Sequence, residues 1–204
     1  MKTFLTSILI LLFTSFWSIN IKTDNFLEIQ PVNRLERWLS YYNLKLTYFT
    51  DTVSVKRLKS DDIQYEYPPD VSDLYRQLFI ASPDSKFFID LDSYSLVLEK
   101  DSVGKLVSFG SEVDTEVYLF NISEKIISRI LFCGAEEKIE EASWLNNDLV
   151  YILGFSRKID SYFPTIYSYK ISDNSLVIIQ YHNPIDRSKL DYPIKTRLKS
   201  IDFK

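Results

Sequence analysis

Residues 116–132 read EVYLFNISEKIISRILF, and residues 165–181 read TIYSYKISDNSLVIIQY. The two stretches align without a gap at an offset of 49 residues. In each copy two alternating apolar runs flank a short polar turn, which is typical of a β-hairpin. The identical pairs are Tyr118/Tyr167, Ile122/Ile171, Ser123/Ser172 and Ile130/Ile179. The sequence therefore predicts two copies of one hairpin.

A second element precedes each of these hairpins. Residues 81–91 read ASPDSKFFIDL and residues 142–153 read ASWLNNDLVYIL, and each predicts a strand, a tight polar turn and another strand. These segments align at an offset of 61, so the first unit carries 12 more residues than the second. The additional residues fall in 94–110 and predict an inserted hairpin that turns at Asp101 to Gly104.

Four antiparallel strands within about 40–50 residues have the size of a β-propeller blade. The turn Ser82-Pro83-Asp84-Ser85 resembles the Ser-Pro-Asp-Gly turn of PD40-type blades in TolB-like propellers. In the second unit Ser143-Trp144-Leu145-Asn146 stands at the same place. The resemblance covers residues 79–182, and the overall pattern also resembles uncharacterised exported bacterial proteins. It implies a propeller-like fold and brings no activity with it.

Two blades do not close a ring, because propellers have four or more. We therefore expect an all-β, mainly antiparallel fold with two propeller-blade-like four-stranded meanders, an incomplete propeller and a short N-terminal helix. The two units span 79–132 and 139–182 within a single β-rich domain of residues 19–204. A single irregular β-sandwich is the alternative.

The segment 33–75 precedes the first unit and predicts a helix and a hairpin. Asn33 to Glu36 resembles a capping box, and the helical spacing of apolar residues continues to Tyr42. Residues 44–58 predict a hairpin that turns at 50–52. A single helical turn is predicted around 71–78, after a pair of prolines.

The segment 183–204 follows the second unit and is basic. Lys195, Arg197 and Lys199 alternate with uncharged residues, which predicts an edge strand with one charged face that blocks aggregation. A docking surface for an anionic partner is the alternative.

The N-terminal residues 1–18 read MKTFLTSILILLFTSFWS. Lys2 is followed by an apolar stretch too short for a stable membrane span, so the pattern favours a signal peptide, with an N-terminal anchor at 3–17 as the alternative. We expect an extracytoplasmic protein, periplasmic or secreted. Its single cysteine, Cys133, allows no internal disulfide and is expected to be a small buried residue.

The composition excludes several kinds of chemistry. A net charge of −4 argues against a general nucleic-acid binder. The single histidine, His182, is expected in an exposed loop, and residues 154–158 lack the last glycine of a hydrolase elbow. Asp90-Leu91-Asp92, with Asp101 at the twelfth position, resembles only the start of a calcium loop, because the glycine and the closing glutamate are missing.

Four glutamates cluster before the second unit: Glu136, Glu137, Glu140 and Glu141. A glycosidase needs two acids across a cleft, and neighbours in one loop do not supply that geometry, so we expect a solvated loop. The acidic, tyrosine-containing stretch 61–73 predicts an edge strand and linker or, alternatively, a contact surface. We assign no catalytic, cofactor-binding or metal-ligating residue and expect no cofactor.

These observations predict a non-enzymatic exported binding protein of the cell envelope. Its partner would be an envelope or extracellular protein or a glycan, with no nucleic acid, and with membrane contact only through an uncleaved N-terminal segment. Association into a homo-oligomer is a further alternative. The first alternative is an inhibitor or immunity-type protein that inserts a loop such as 94–110 or 156–164 into an enzyme. The second is a carboxylate-based hydrolase.

Overall fold

The computed structural model describes residues 33–57, 64–66, 73–111, 113–186 and 190–204. The predicted signal segment 1–18 and most of the acidic stretch 61–73 lie outside the described residues. The helices are α1 (Asn33–Tyr41), α2 (Asp73–Arg76) and α3 (Tyr192–Lys195), with a 3-10 helix at Leu46–Tyr48. None of these helices is long and apolar enough to cross a membrane.

The strands run in chain order as β1 (Asp51–Arg57), β2 (Gln64–Glu66), β3 (Ile80–Ala81), β4 (Phe87–Asp90), β5 (Leu96–Lys100), β6 (Leu106–Ser111), β7 (Thr115–Asn121), β8 (Ile126–Cys133), β9 (Glu137–Trp144), β10 (Leu149–Lys158), β11 (Ser161–Lys170), β12 (Ser175–Gln180) and β13 (Asp202–Phe203). They form two five-stranded antiparallel sheets and one three-stranded sheet.

The first five-stranded sheet has the order β2-β8-β7-β4-β3, and the second has the order β1-β12-β11-β10-β9. Each therefore contains one predicted four-stranded meander with one more strand, β2 or β1, added at its last strand. The described residues form neither a closed barrel nor a full propeller. The prediction of an all-β, mainly antiparallel, incomplete propeller-like fold is confirmed.

Equivalent residues of the two units share backbone details as well as strands. Lys125 and Asn174, which align at the offset of 49, both have positive φ angles, of 57° and 50°. The amide of Ile122 donates to a carbonyl 3.0 Å away in the preceding turn, and the amide of Ile171 does the same at 2.9 Å. The repeated sequence thus folds into the same hairpin twice.

The turn of the first unit shows why its sequence is special. Asp84 Oδ1 accepts hydrogen bonds from Ser82 Oγ at 2.8 Å and from the amide of Lys86 at 3.2 Å. Ser85 has a φ of 57°, a left-handed conformation that favours glycine, and it occupies the position where the resembling turn has glycine. Asn147 from the second unit's turn accepts from the amide of Asp84 at 3.1 Å, so the two turns lie side by side.

One hydrophobic core lies between the two five-stranded sheets. It takes residues from both, among them Ile89 and Val117 from the first and Ile152 from the second. Trp144 joins the sheets directly, because its Nε1 donates to the carbonyl oxygen of Ile80 at 2.9 Å. The alternate residues of β10 face the other way, and there α1 covers the second sheet.

The inserted hairpin is confirmed as β5 and β6, and it builds a small sheet of its own with β13. Asp101 closes its turn by accepting the amides of Val103 at 2.9 Å and Lys105 at 2.8 Å. These amides, that of Lys105 foremost, hold the pKa of Asp101 below its ordinary value. A third hydrophobic cluster, which includes Leu98 and Leu198, lies beneath this sheet.

The predicted hairpin over 44–58 is wrong. Leu46–Tyr48 is a 3-10 helix, and β1 pairs with β12 through a register that begins at Asp51 and Gln180. The apolar residues Leu44, Leu46 and Phe49 pack with the cluster around α1, so they serve that packing and not a strand. The predicted helices are found, as α1 and the single turn α2.

The C-terminal edge strand with a charged face is also wrong. Residues 192–195 form α3 and residues 196–200 are turns. The reason is that Tyr192 and Pro193 are buried, and that Arg197 points inward to form an ion pair with Asp92. Within the described part of this segment, β13 pairs parallel to β6 and Ile185 forms one isolated antiparallel bridge with Tyr162.

Candidate functional site

The glutamates before the second unit do not lie in a solvated loop, which corrects the sequence prediction. Glu137, Glu140 and Glu141 belong to β9, and only Glu136 lies in the preceding turn. Glu140 is 0% exposed and Glu141 is 1% exposed. Buried carboxylates need partners, and α1 and the C-terminal segment supply them.

A β-bulge places both carboxylates on the side of β9 that faces α1. Glu141 pairs with Leu153 and Ile139 pairs with Gly154, which leaves Glu140 as the additional residue. In a regular strand Glu140 would share the face of Ala142, which lies in the core between the sheets. The close approach at the bulge requires a glycine, because a Cβ on Gly154 would lie 2.1 Å from the carbonyl oxygen of Lys138.

Glu140 is held by two residues of the N-terminal helix region. Its Oε2 accepts from Trp38 Nε1 at 3.1 Å and from the Tyr42 hydroxyl at 2.7 Å. Its Oε1 lies 3.4 Å from Lys138 Nζ without hydrogen-bond geometry. Burial raises the pKa of Glu140 above its ordinary value, against the opposing effects of Tyr42, Lys138 and Trp38. Burial, with Glu140 beside it, raises the pKa of Tyr42 as well.

Glu141 connects three parts of the chain. It accepts from Arg34 Nη1 of α1 at 2.8 Å and from the hydroxyl of Tyr192 in α3 at 3.1 Å. Its Oε1 also accepts the amide of Ala142 at 3.1 Å. Burial and the neighbouring Glu141 raise the pKa of Tyr192 to about 12. The carboxylate therefore ties α1 and α3 to the second sheet.

A second buried ion pair lies close by, between Arg197 Nη1 and Asp92 Oδ2. Arg197 Nε also lies 3.4 Å from the carbonyl oxygen of Glu140. Asp90 accepts the amides of Asp92 at 2.9 Å and Ser93 at 3.1 Å, and burial raises its pKa. Both aspartates thus accept hydrogen bonds from donors of the chain itself. The described residues contain no group of three or more His, Cys, Asp or Glu placed to hold a metal ion.

A cleft of about 150 Å³ opens beside these ion pairs. Arg34 and Arg37 approach it from α1, Arg197 from the C-terminal segment and Glu141 from β9, with residues 77–79 as the remaining wall. Of the described residues that line it, four are charged, and three of these are arginines. The arrangement can hold an anionic group, whereas the described part of the lining contains a single acid and no pair of acids for hydrolysis.

The remaining residues considered in the sequence lie apart from this cleft. His182 is exposed beyond the end of β12, with its ring 4.9 Å from that of Tyr181. Cys133 is buried in β8, which confirms its expected place. Ser156 contacts Thr165 Oγ1 at 3.1 Å and Tyr167 at 3.5 Å, and neither hydroxyl is a strong base.

Comparison with known protein families, with curated proteins and with solved structures found no match. The cleft and the exposed surfaces are therefore the features that bear on function. The partners of Glu140 and Glu141 were not predicted from the sequence, because they lie far away along the chain: Arg34, Trp38, Tyr42, Tyr192 and Arg197. A glycine inside the predicted strand at Gly154 was the available signal, because such a glycine often marks a bulge.

Proposed function

We propose that the chain is a non-enzymatic recognition protein that acts outside the cytoplasm and binds a protein of the cell envelope. The observation that carries this proposal is the inserted sheet of β5, β6 and β13. Within the described residues only the first unit has it, and in repeat proteins an insertion into one repeat is often on the binding face.

Strands β5 and β6 of the inserted sheet bury most of their apolar residues and expose two of them. Leu96, Leu98 and Leu106 are buried beneath it. Val97 on β5 is 53% exposed and Phe109 on the neighbouring strand β6 is 56% exposed, although Val107 between them on that side is buried. Single exposed apolar residues are ordinary, but apolar neighbours on a rigid sheet are suited to a protein contact.

The buried acids support a role without catalysis. Glu140 and Glu141 accept hydrogen bonds from the α1 region and from α3, and Glu141 is the one carboxylate among the described residues that line the cleft. Hydrolysis of a glycoside requires a second acid across the cleft. The carboxylate-hydrolase alternative therefore has little support from the geometry.

A second candidate, the inhibitor or immunity-type protein, is favoured by the tip of the β10–β11 hairpin. Lys158 pairs with Ser161, so the turn consists of Ile159 and Asp160 alone. Ile159 is 89% exposed and has a φ of 58°, which is unfavourable for a β-branched residue. A strained apolar residue displayed at a hairpin tip is suited to insertion into a pocket of another protein.

Export and the propeller resemblance complete the proposal. Export is supported by residues 1–18, with their single lysine before an apolar stretch. The resemblance to PD40-type blades is supported by the turn at 82–85, where Ser85 adopts the conformation that glycine prefers.

The test is quantitative capture of envelope proteins by the tagged full-length chain. We compare the wild type with the double variant V97T/F109T on the inserted sheet and with V53T/V55T on β1, where both valines are equally exposed. The proposal predicts one stoichiometric protein that V97T/F109T loses and V53T/V55T retains. A partner lost only on Ile159→Ser would favour the inhibitor candidate, and capture unaffected by V97T/F109T would overturn the assignment of this surface.

A further inference from the structure

We infer that the cleft lined by Arg34, Arg37 and Arg197 binds an oxyanion, a carboxylate or phosphate group carried by the ligand of this protein. The inference rests on the proposed recognition function and names the chemistry that this cleft would take. Arginine presents a planar fork of donors that matches both kinds of oxyanion.

The arginines reach the cleft from two separate parts of the chain. Arg34 and Arg37 lie three residues apart on α1 and therefore share one side of the helix. Arg197 comes from the turns after α3, more than 150 residues later in the chain. The fold thus brings three positive charges to one cleft of about 150 Å³, although the whole chain has a net charge of −4.

Much of the donor capacity of these arginines is unused. Each guanidinium has five N–H donors. Arg34 donates through Nη1 to Glu141, and Arg197 donates through Nη1 to Asp92 and through Nε to a carbonyl. Arg37 is exposed and makes no hydrogen bond or ion pair with any residue that the structure describes. An incoming anion would therefore find free donors on all three side chains.

The charge balance also favours an anion. Glu141 pairs with Arg34 and Asp92 pairs with Arg197; the second pair is buried, and in the first Glu141 is buried while Arg34 is 35% exposed. Among the described residues that line the cleft, Arg37 is the arginine without an acidic partner, so an anionic group in the cleft would pair with it. The buried pairs also fix Arg34 and Arg197 in place before binding, which lowers the conformational cost of holding the ligand.

The size of the cleft limits what enters it. Pockets for whole drug-sized ligands measure about 300–1,000 Å³, so this cleft is suited to a charged group and not to a large molecule. Leu78 and Phe79 in its wall provide an apolar contact for the atoms that carry the charge. The expected occupant is therefore a carboxylate or phosphate with a short apolar stem.

The experiment measures binding of two simple probes to the purified full-length chain. Inorganic phosphate and acetate are titrated at constant ionic strength against sodium chloride, with calorimetry and thermal unfolding as readouts, because a ligand that binds the folded state raises the melting temperature. The variant Arg37→Gln removes one positive charge of the lining from an exposed position. Lys45→Gln removes one charge from another exposed position that does not line the cleft.

We expect phosphate or acetate to stabilise the wild type beyond the effect of chloride, with the stronger probe identifying the preferred group. Arg37→Gln should weaken that binding about tenfold or more, since a charge-assisted hydrogen bond is lost, and Lys45→Gln should leave it unchanged. No stabilisation beyond chloride with either probe, or equal binding by Arg37→Gln, would overturn the inference. Capture of the envelope partner is measured with the same preparation to separate the two proposals. Capture without anion binding would refute only the assignment of the cleft as an anion site. Anion binding without capture would refute only the proposal of a protein partner.

Discussion

Replacing Glu140 separates a structural carboxylate from a reactive one. In Glu140→Ala, Trp38 Nε1 and the Tyr42 hydroxyl lose their shared acceptor inside the protein. Each unsatisfied buried donor costs about 1–3 kcal/mol, so the two together lower the free energy of unfolding by about 2–6 kcal/mol. Glu140→Gln retains a carbonyl oxygen for both donors and removes a buried charge, so we expect a loss of about 1 kcal/mol or less at pH 7.

The difference between wild type and Glu140→Gln should also depend on pH. Burial raises the pKa of Glu140 in the folded state above the ordinary value of 4.5. Between pH 4.5 and this higher pKa, the folded chain retains a proton that the unfolded chain has released. The free energy of unfolding of the wild type therefore falls as pH rises. Glutamine has no such proton. Above about pH 4.5 the free energy of unfolding of Glu140→Gln should therefore increase relative to that of the wild type, by at most about 1.4 kcal/mol per pH unit.

Urea unfolding followed by tryptophan fluorescence measures both effects, because Trp38 lies in direct contact with the substituted group. Glu99→Gln, at an exposed position of β5, is the control and should change stability by less than about 0.5 kcal/mol. If Glu140→Gln costs as much as Glu140→Ala at pH 7, the negative charge beside Lys138 holds the helix in place. The explanation through the two hydrogen-bond donors would then be refuted.

Three further substitutions test the architecture by chemical denaturation. Gly154→Ala should lower the free energy of unfolding by more than about 2 kcal/mol, because its Cβ meets the backbone of β9 at 2.1 Å. A decrease of less than about 1 kcal/mol would contradict the close approach at the bulge. Arg197→Leu should lower the free energy of unfolding by about 3–5 kcal/mol, because it leaves Asp92 buried without its partner. Lys199→Gln, on the exposed side of the same turn, should leave stability unchanged. Equal effects of the two substitutions would contradict the burial of Arg197. Ile159→Gly should raise the free energy of unfolding by about 1 kcal/mol, because glycine adopts the left-handed conformation of this residue without strain. A destabilised variant would show that the exposed isoleucine packs on the chain itself.

The sequence predicted the features of the fold that local pattern determines. Alternating apolar residues and the offset of 49 located the two hairpins, and the difference between the offsets located the inserted one. The apolar spacing after Asn33 predicted α1, because one face of that helix packs on the second sheet. Each of these signals lies within a few tens of residues.

Long-range pairing was not predictable from such patterns. β1 pairs with β12, with Asp51 opposite Gln180, and nothing in residues 44–58 indicates a partner so distant. The same holds for the candidate site. Glu140 and Arg197 look solvated in a charged sequence context, and only the tertiary contacts with α1 and with Asp92 remove them from water.

The most direct test of the recognition function is photo-crosslinking in living cells, with a photoreactive amino acid in place of Phe109 on the inserted sheet. Val53 on β1, which is equally exposed, is replaced in the same way as the control. We expect a single protein adduct from position 109, formed outside the cytoplasm, and none from position 53. No adduct at position 109, or the same adducts from both positions, would contradict it.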